Sequence, residues 1–386
     1  MSIHAIFGFL SVKMLPLVWA VLGIGILITI HECGHFVFCK LFGVHTPTFS
    51  IGFGPEIFRK KIGTTHFRLA AIPLGGYVEI AGHAEVGQGA QEFASAVGPE
   101  SFETKPYWQK VLVMSGGILF NLIFAVLVLS SLFMVGSSGP QAVVVGNVVK
   151  GSAAELADIK TGDAIINVND RSLVDDVGQV LTDAREVLLH EIRSAPNGSV
   201  RMLIRREGEV IVRTFTLGSR EEDGKTIGVL GAELATPLPK LSFFSAIAAG
   251  VRETFKMAGM VLYGIKYLFA HRTLEGAGGP VMIMSMISGA AQHGLSALLL
   301  FLAFISINLA MLNLLPIPVF DGGQIAFISV EAILRRQIPL SIKNGINIAS
   351  WLLLMGLFVF LTYRDIVTLF GNKLTALYHK VVGLWR

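Results

Sequence analysis

Residues 15–43 read LPLVWAVLGIGILITIHECGHFVFCKLFG, and this stretch decides the architecture. An apolar run from Leu15 to Ile30 leads into His31-Glu32-Cys33-Gly34-His35, and Phe36-Val37-Phe38 continues it. A run of this length is that of a membrane-spanning helix, so an H-E-x-x-H pattern lies inside a span. Positions i and i+4 share a helix face, which lets His31 and His35 grip one zinc ion. Glu32 is placed to take a proton from a metal-bound water. A carboxylate at bilayer depth costs roughly 2.5–3.5 kcal/mol on insertion scales, so a chain that keeps one there gives it a partner or a task. The bland alternative is a chance pattern, or two histidines at a helix end. Lys40 follows both histidines within about 8–14 Å of helix, which puts the pair below the surface but near an aqueous boundary.

Composition agrees. The chain has 386 residues, of which 53% are hydrophobic and 15% charged, with a mean hydropathy of +0.65. That is a membrane protein with a water-facing portion. A net charge of +4 is small for this length, fits basic flanks on membrane helices, and argues against a nucleic-acid partner. The two cysteines, Cys33 and Cys39, fall in the first span and do not face each other on one helix, so no disulfide framework is implied. The metal motif continues the first apolar run with no small-residue cleavage site before it, so the segment reads as retained.

Taken in order, residues 1–138 form an N-terminal membrane part with spans at about 15–38 and 111–135. The loop between them carries Lys40, Arg59, Lys60, Lys61, Arg68, Lys105 and Lys110, which the positive-inside rule places in the cytoplasm. Within it, 49–81 holds short β-prone pieces punctuated by Gly52, Gly54, Pro55, Gly75 and Gly76, which is hairpin chemistry. It is too apolar for a solvated loop. A re-entrant β-element shielded by protein is expected, with a small cytosolic sheet as the alternative. Residues 83–104 read as a polar, mobile loop. The second span carries Gly116-Gly117 and Asn121, small and polar residues that let helices approach closely.

Residues 139–237 read as a compact domain on the outer side, with strands near 143–145, 164–168, 200–205 and 210–216, a short helix from 151 to 158 and a helical stretch from 174 to 192. Residues 238–296 follow as an amphipathic interfacial helix over 241–270 and a linker, with an extra span as the alternative. Residues 297–386 form the C-terminal membrane part, with spans at about 297–316 and 346–361. Arg364, Lys373, Lys380 and Arg386 in the tail conflict with its outward placement. The fold class expected is thus a polytopic α-helical membrane protein of about four spans, with a re-entrant β-element and an inserted α+β domain.

A catalytic zinc takes three protein ligands and one open position. The first span supplies two. Asp321 is the natural third: it is the only carboxylate between Ser296 and Val330, beside a helix break made by Pro316 and Pro318. A turn or helix-capping aspartate before Gly322-Gly323 is the alternative.

His31-Glu32-Cys33-Gly34-His35 in a first span, with Asn-x-x-Pro-x-Pro-x-x-Asp-Gly at Asn313 to Gly322, resembles the site-2 protease family of intramembrane zinc metalloproteases. Residues 151–170 resemble a PDZ domain. The arrangement is similar to the bacterial regulator of sigma-E protease branch, here with a single PDZ-like domain. The resemblance implies a zinc-dependent intramembrane endopeptidase in a bacterial inner membrane, with its PDZ-like domain on the periplasmic side. Zinc would be held by His31, His35 and Asp321, with Glu32 as general base. Asn313 would hold substrate or stabilise the oxyanion, with Pro316 and Pro318 beside it. Gly75, Gly76 and Tyr77 of the re-entrant element would bind substrate as an added strand. Its partners would be the lipid bilayer, single-span membrane substrates resembling anti-sigma factors after a first cut or remnant signal peptides, and a peptide ligand of the PDZ-like domain. The competing class is an inactive membrane scaffold that binds peptides. A transporter with broken helices predicts internal repeats, which are not evident.

Overall fold

The computed structural model describes residues 15–83, 98–136, 143–175, 181, 183–206, 208–222, 224–235, 238–271, 274, 277–292 and 294–383. Most of the expected loop over 83–104 lies outside them. The chain divides into two compact units, residues 1–130 with 247–386, and Ser131–Ala246.

Helix α1 (Leu15–Leu41) carries the first span. Strands β1 (Thr48–Ile62) and β2 (Thr65–Val78) then form an antiparallel pair turning at Gly63-Thr64, while Gly52, Gly54, Pro55, Gly75 and Gly76 fall inside the strands. The ladder is irregular. The start of β1 is flanked on both sides, with Ile51 opposite Leu69 and also opposite Gly76. The hairpin lies along α1, and a Cβ at Gly25 would stand 2.5 Å from the Pro73 carbonyl oxygen. Helix α2 (Tyr107–Val135) is the second span. It meets α1 backbone to backbone: a Cβ on Gly34 would collide with the Gly116 carbonyl, and one on Gly116 with the Gly34 carbonyl. Cys39, Val44, Phe49, Val78, Phe102, Val113 and Met114 close one core over this junction. Neither Cys33 nor Cys39 is in a disulfide.

The Ser131–Ala246 unit contains β3 (Val143–Val148), α3 (Ala153–Leu156), β4 (Ala164–Val168), β5 (Arg171–Ser172), α4 (Ala184–Arg193), β6 (Ser199–Arg206), β7 (Glu209–Thr216), β8 (Gly218–Glu222), β9 (Lys225–Val229) and β10 (Ala232–Ala235). The main sheet runs β10-β3-β4-β6-β7, and β8-β9 is a separate hairpin. Val200, Met202 and Ile204 alternate into the core on β6, where Leu188 and Ile192 of α4 meet them. The helical stretch expected over 174–192 is corrected at its start. Val174 forms a β-bridge and the helix begins at Ala184, while 176–180 and 182 lie outside the described residues. The period carried by Ala184, Leu188 and Ile192 was the real helical signal.

Helix α5 (Phe243–His271) is the amphipathic segment, and it is not among the four helices long and apolar enough to cross a membrane. Helix α6 (Pro280–Gln292) corrects the expected linker. Its Ile287 joins Ala20 and Leu27 of α1 and Leu298 and Leu302 of α7 (Leu295–Asn313) in a second core. Helices α8 (Asp321–Leu334) and α9 (Leu340–Gly383) complete the unit. The four candidate spans are Val18–Leu41, Tyr107–Val135, Leu295–Asn313 and Ser341–Leu369. The last is a longer helix than the expected 346–361. Arg364 on it donates to the carbonyls of Leu274 and Ala277, and Asp365 accepts from the N–H groups of Gly279 and Met282 at the start of α6. Arg364 therefore has a task inside the fold that the positive-inside rule does not describe.

Candidate metal centre

Helix geometry sets the first two side chains. His31 and His35 stand one turn apart on α1, and their Nε2 atoms are 3.2 Å apart. Asp321 arrives from a distant part of the chain as the first residue of α8. Its Oδ2 lies 3.3 Å from His31 Nε2 and 3.5 Å from His35 Nε2. The loop that delivers it is folded tightly. Phe320 N–H bonds back to the Ile317 carbonyl at 2.8 Å, and Gln324 holds the Pro318 carbonyl. A Cβ at Gly322 would collide with Leu314, and one at Gly323 with Ile317. The glycines at 322 and 323 are thus required by close backbone approach. Pro316 and Pro318 lie in this loop and end α7, as read from the sequence.

The three atoms fit a zinc ion. Ligand atoms about 2.0–2.1 Å from a tetrahedral zinc stand about 3.3–3.4 Å from one another, close to the three observed edges. Asp321 Oδ2 is buried and accepts no hydrogen bond. Lone-pair atoms that converge without a proton donor leave a buried charge uncompensated unless a cation lies among them.

The outer nitrogens are held as a metal site needs. His35 Nδ1–H donates to the Val113 carbonyl on α2 at 2.8 Å, which leaves Nε2 with its lone pair. Nδ1 of His31 is 3.2 Å from the side-chain amide of Asn121, whose Oδ1 is otherwise buried without a partner. A half-turn of that amide brings Oδ1 to the Nδ1–H and fixes the same tautomer. Ser306 on α7 donates to the Asn121 carbonyl at 2.9 Å, so three helices lock this contact. Sequence reasoning read Asn121 only as helix-packing polarity. The missed signal was its spacing from Gly117, where a Cβ would strike the His31 ring.

Glu32 is buried, and its Oε2 accepts the Val78 N–H of β2 at 3.1 Å. This bond ties the end of the hairpin to the motif. Gly76 and Tyr77 pair with Ile51 and Ser50, and the Phe53 ring covers Gly75. Asn313 is buried as the last residue of α7, and no contact joins it to the three converging atoms.

Comparison with known proteins agrees with this geometry. Residues 19–357 match Peptidase family M50. A protein of Clostridium perfringens, named as a candidate zinc metalloprotease, is 30% identical over 91% of this chain and 98% of its own length. Similarly named proteins of Rickettsia conorii and Campylobacter jejuni are 31% and 30% identical, over 93% and 94% of this chain and 100% and 96% of their own lengths. With the match running across nearly all of the sequence, the chain belongs to Peptidase family M50, the zinc-dependent site-2 protease family.

Proposed function

We propose that this protein is an intramembrane endopeptidase that cuts the transmembrane segments of single-span membrane proteins, with His31, His35 and Asp321 holding its zinc and Glu32 acting as general base. The observation that carries this reading is the triangle of His31 Nε2, His35 Nε2 and Asp321 Oδ2, with Asp321 Oδ2 buried and lacking a donor, on helices that include two candidate spans. When bound, zinc supplies a Lewis acid that polarises the scissile carbonyl and acidifies water. Glu32 takes a proton from the attacking water and passes it to the leaving amine, and the Val78 N–H orients its carboxylate.

The hairpin supplies the substrate's backbone partner. A helical substrate must unwind to be cut, and its freed N–H and C=O groups are costly in lipid. Just past β2, Glu79 N–H bonds inward to the Thr48 carbonyl, while Val78 N–H at the end of β2 turns away to Glu32. By the alternation of an antiparallel ladder, Gly76 turns the same way as Val78 and offers its N–H and C=O to an added strand. Gly75, Gly76 and Tyr77 therefore bind substrate in this reading, and the hairpin is re-entrant. Asn313, with Pro316 and Pro318, bounds the substrate from the α7 side.

The Ser131–Ala246 unit is PDZ-like in this reading. An apolar groove between α4 and β9–β10, lined by Leu189, Ile192, Ile227, Leu230 and Leu234, suits a peptide segment. The setting is a bacterial inner membrane with this unit on the periplasmic side, and the substrates are of the anti-sigma-factor kind after a first cut. The test is cleavage of a single-span reporter by the purified chain in detergent, with the cut located by mass spectrometry. A cut inside the span that chelation abolishes and zinc restores supports the proposal. A cut only in the flanks contradicts it.

A further inference from the structure

A groove of about 280 Å³ opens between the start of α2 and the end of α8. Lys105, Tyr107 and Lys110 line it from one side, and Glu331, Arg335 and Arg336 from the other. The charges are not balanced. Glu331 is already bound to Lys343 at 2.7 Å and to the Ile338 N–H at 2.8 Å. Lys110 is paired with Glu103 at 3.1 Å. Lys105, Arg335 and Arg336 have no carboxylate partner among the described residues, so the groove presents three cations without counter-charge.

The groove is also amphipathic. Ile328 and Ala332 give it an apolar wall. Tyr107 is 49% exposed at its mouth, and the neighbouring Trp108 is 55% exposed, an aromatic pair of the kind found at headgroup depth. Arg335 stands where α8 ends, at φ +53°, in the left-handed conformation that usually calls for glycine. A long cationic side chain kept at that backbone angle points to a function served by the guanidinium.

We infer that this groove binds the phosphate headgroup of an anionic membrane lipid, such as phosphatidylglycerol. Basic pockets between membrane helices near the cytoplasmic surface take such headgroups, and a forked guanidinium matches two phosphate oxygens. The inference goes beyond proteolysis and rests on the membrane placement of α2 with its start toward the cytoplasm. It gives the lipid a structural consequence. Tyr107 Oη and Ser329 Oγ already bridge α2 to α8 at 3.1 Å. Farther along, α2 holds His35 through Val113, and α8 begins at Asp321. A headgroup bridging Lys105 to Arg335 and Arg336 therefore braces the two helices that frame the metal centre.

The test is native mass spectrometry of the purified full-length chain in detergent, titrated with phosphatidylglycerol or with phosphatidylcholine. The wild type is expected to hold phosphatidylglycerol about tenfold or more tighter. An Arg335→Ala/Arg336→Ala double variant loses this preference, whereas Arg252→Ala keeps it. Arg335→Gly guards against misfolding, because glycine suits the backbone angle: thermal stability is held or raised while lipid preference falls. Equal binding of the two lipids, or an unchanged preference in both groove variants, overturns the inference. Displacement of phosphatidylglycerol by low-millimolar inorganic phosphate also overturns it, since the site would then read free phosphate.

Discussion

At the scale of single residues, the site is a convergence of lone pairs held from behind. Glu32→Gln keeps the shape and the hydrogen bond from Val78 but cannot accept a proton. Cleavage of a single-span reporter is expected to fall by about 10²–10⁴-fold, the usual worth of a general base, with zinc content unchanged. With its amide turned so that Oδ1 faces the Nδ1–H, Asn121 would act one layer out, holding His31 in the tautomer that presents Nε2. Asn121→Ala is expected to weaken zinc retention about 10–100-fold, read by competition with a chromogenic chelator, and Asn121→Asp to restore part of it. Unchanged retention in Asn121→Ala would remove that residue from the site. The convergence of His31, His35 and Asp321 could be anticipated because the i, i+4 spacing and a lone carboxylate in an apolar tract are local statements. Asn121 was not legible as a histidine partner, since that depends on how α1 and α2 cross.

At the scale of elements, glycines set the approach. Gly34 and Gly116 let α1 and α2 touch through their backbones, so Gly34→Leu forces the helices apart and carries His35 away from Val113. Loss of the folded, zinc-loaded species on size-exclusion chromatography is the expected result. The hairpin has a subtler role. Gly76→Pro removes the N–H proposed to face the substrate; because any Cβ there stands 2.7 Å from the Ser50 carbonyl oxygen, Gly76→Ala is its control, and zinc content is expected to hold in both while cleavage drops further in the proline variant. Cleavage equal to wild type would count against strand addition at this edge. The β character of this segment was readable, but Gly52, Gly54, Gly75 and Gly76 lie within its strands and the turn itself falls at Gly63-Thr64, which sequence reasoning did not single out. Helix α6 was not, because the reading stopped at the glycine-rich segment before Pro280 and carried the rest as linker. What makes α6 an element is tertiary: Asp365 caps its start and Ile287 packs on α1.

At the scale of the whole molecule, a membrane unit and a charged, water-facing unit obey different physics. In the second unit, hydrogen bonds from Arg213, Lys160 and Arg206 hold the Asp158 carboxyl down to about pKa 2. A carboxylate depressed in the folded state adds stability above its unfolded value, about 3.9, and that addition is lost as pH falls through about 2. Asp158→Asn is therefore expected to lower the unfolding temperature of this unit at pH 7, with the gap to wild type closing between about pH 4 and 2. A gap independent of pH would mean that Asp158 acts through packing. The four candidate spans were legible from apolar run lengths, and the β-rich stretch after the second from its change to short strands and turns. The strands β8 to β10 were missed because each is only four or five residues long, and β10 pairs with the distant β3.

The central claim is that His31, His35 and Asp321 hold one zinc, which Glu32 serves as base. The most direct measurement is zinc per chain by elemental analysis, paired with cleavage of a single-span reporter, for the wild type, Glu32→Gln and Asp321→Asn. The account predicts about one zinc and cleavage in the wild type, zinc without cleavage in Glu32→Gln, and weakened zinc in Asp321→Asn. Full zinc retention in Asp321→Asn, or cleavage by Glu32→Gln at the wild-type rate, would contradict it.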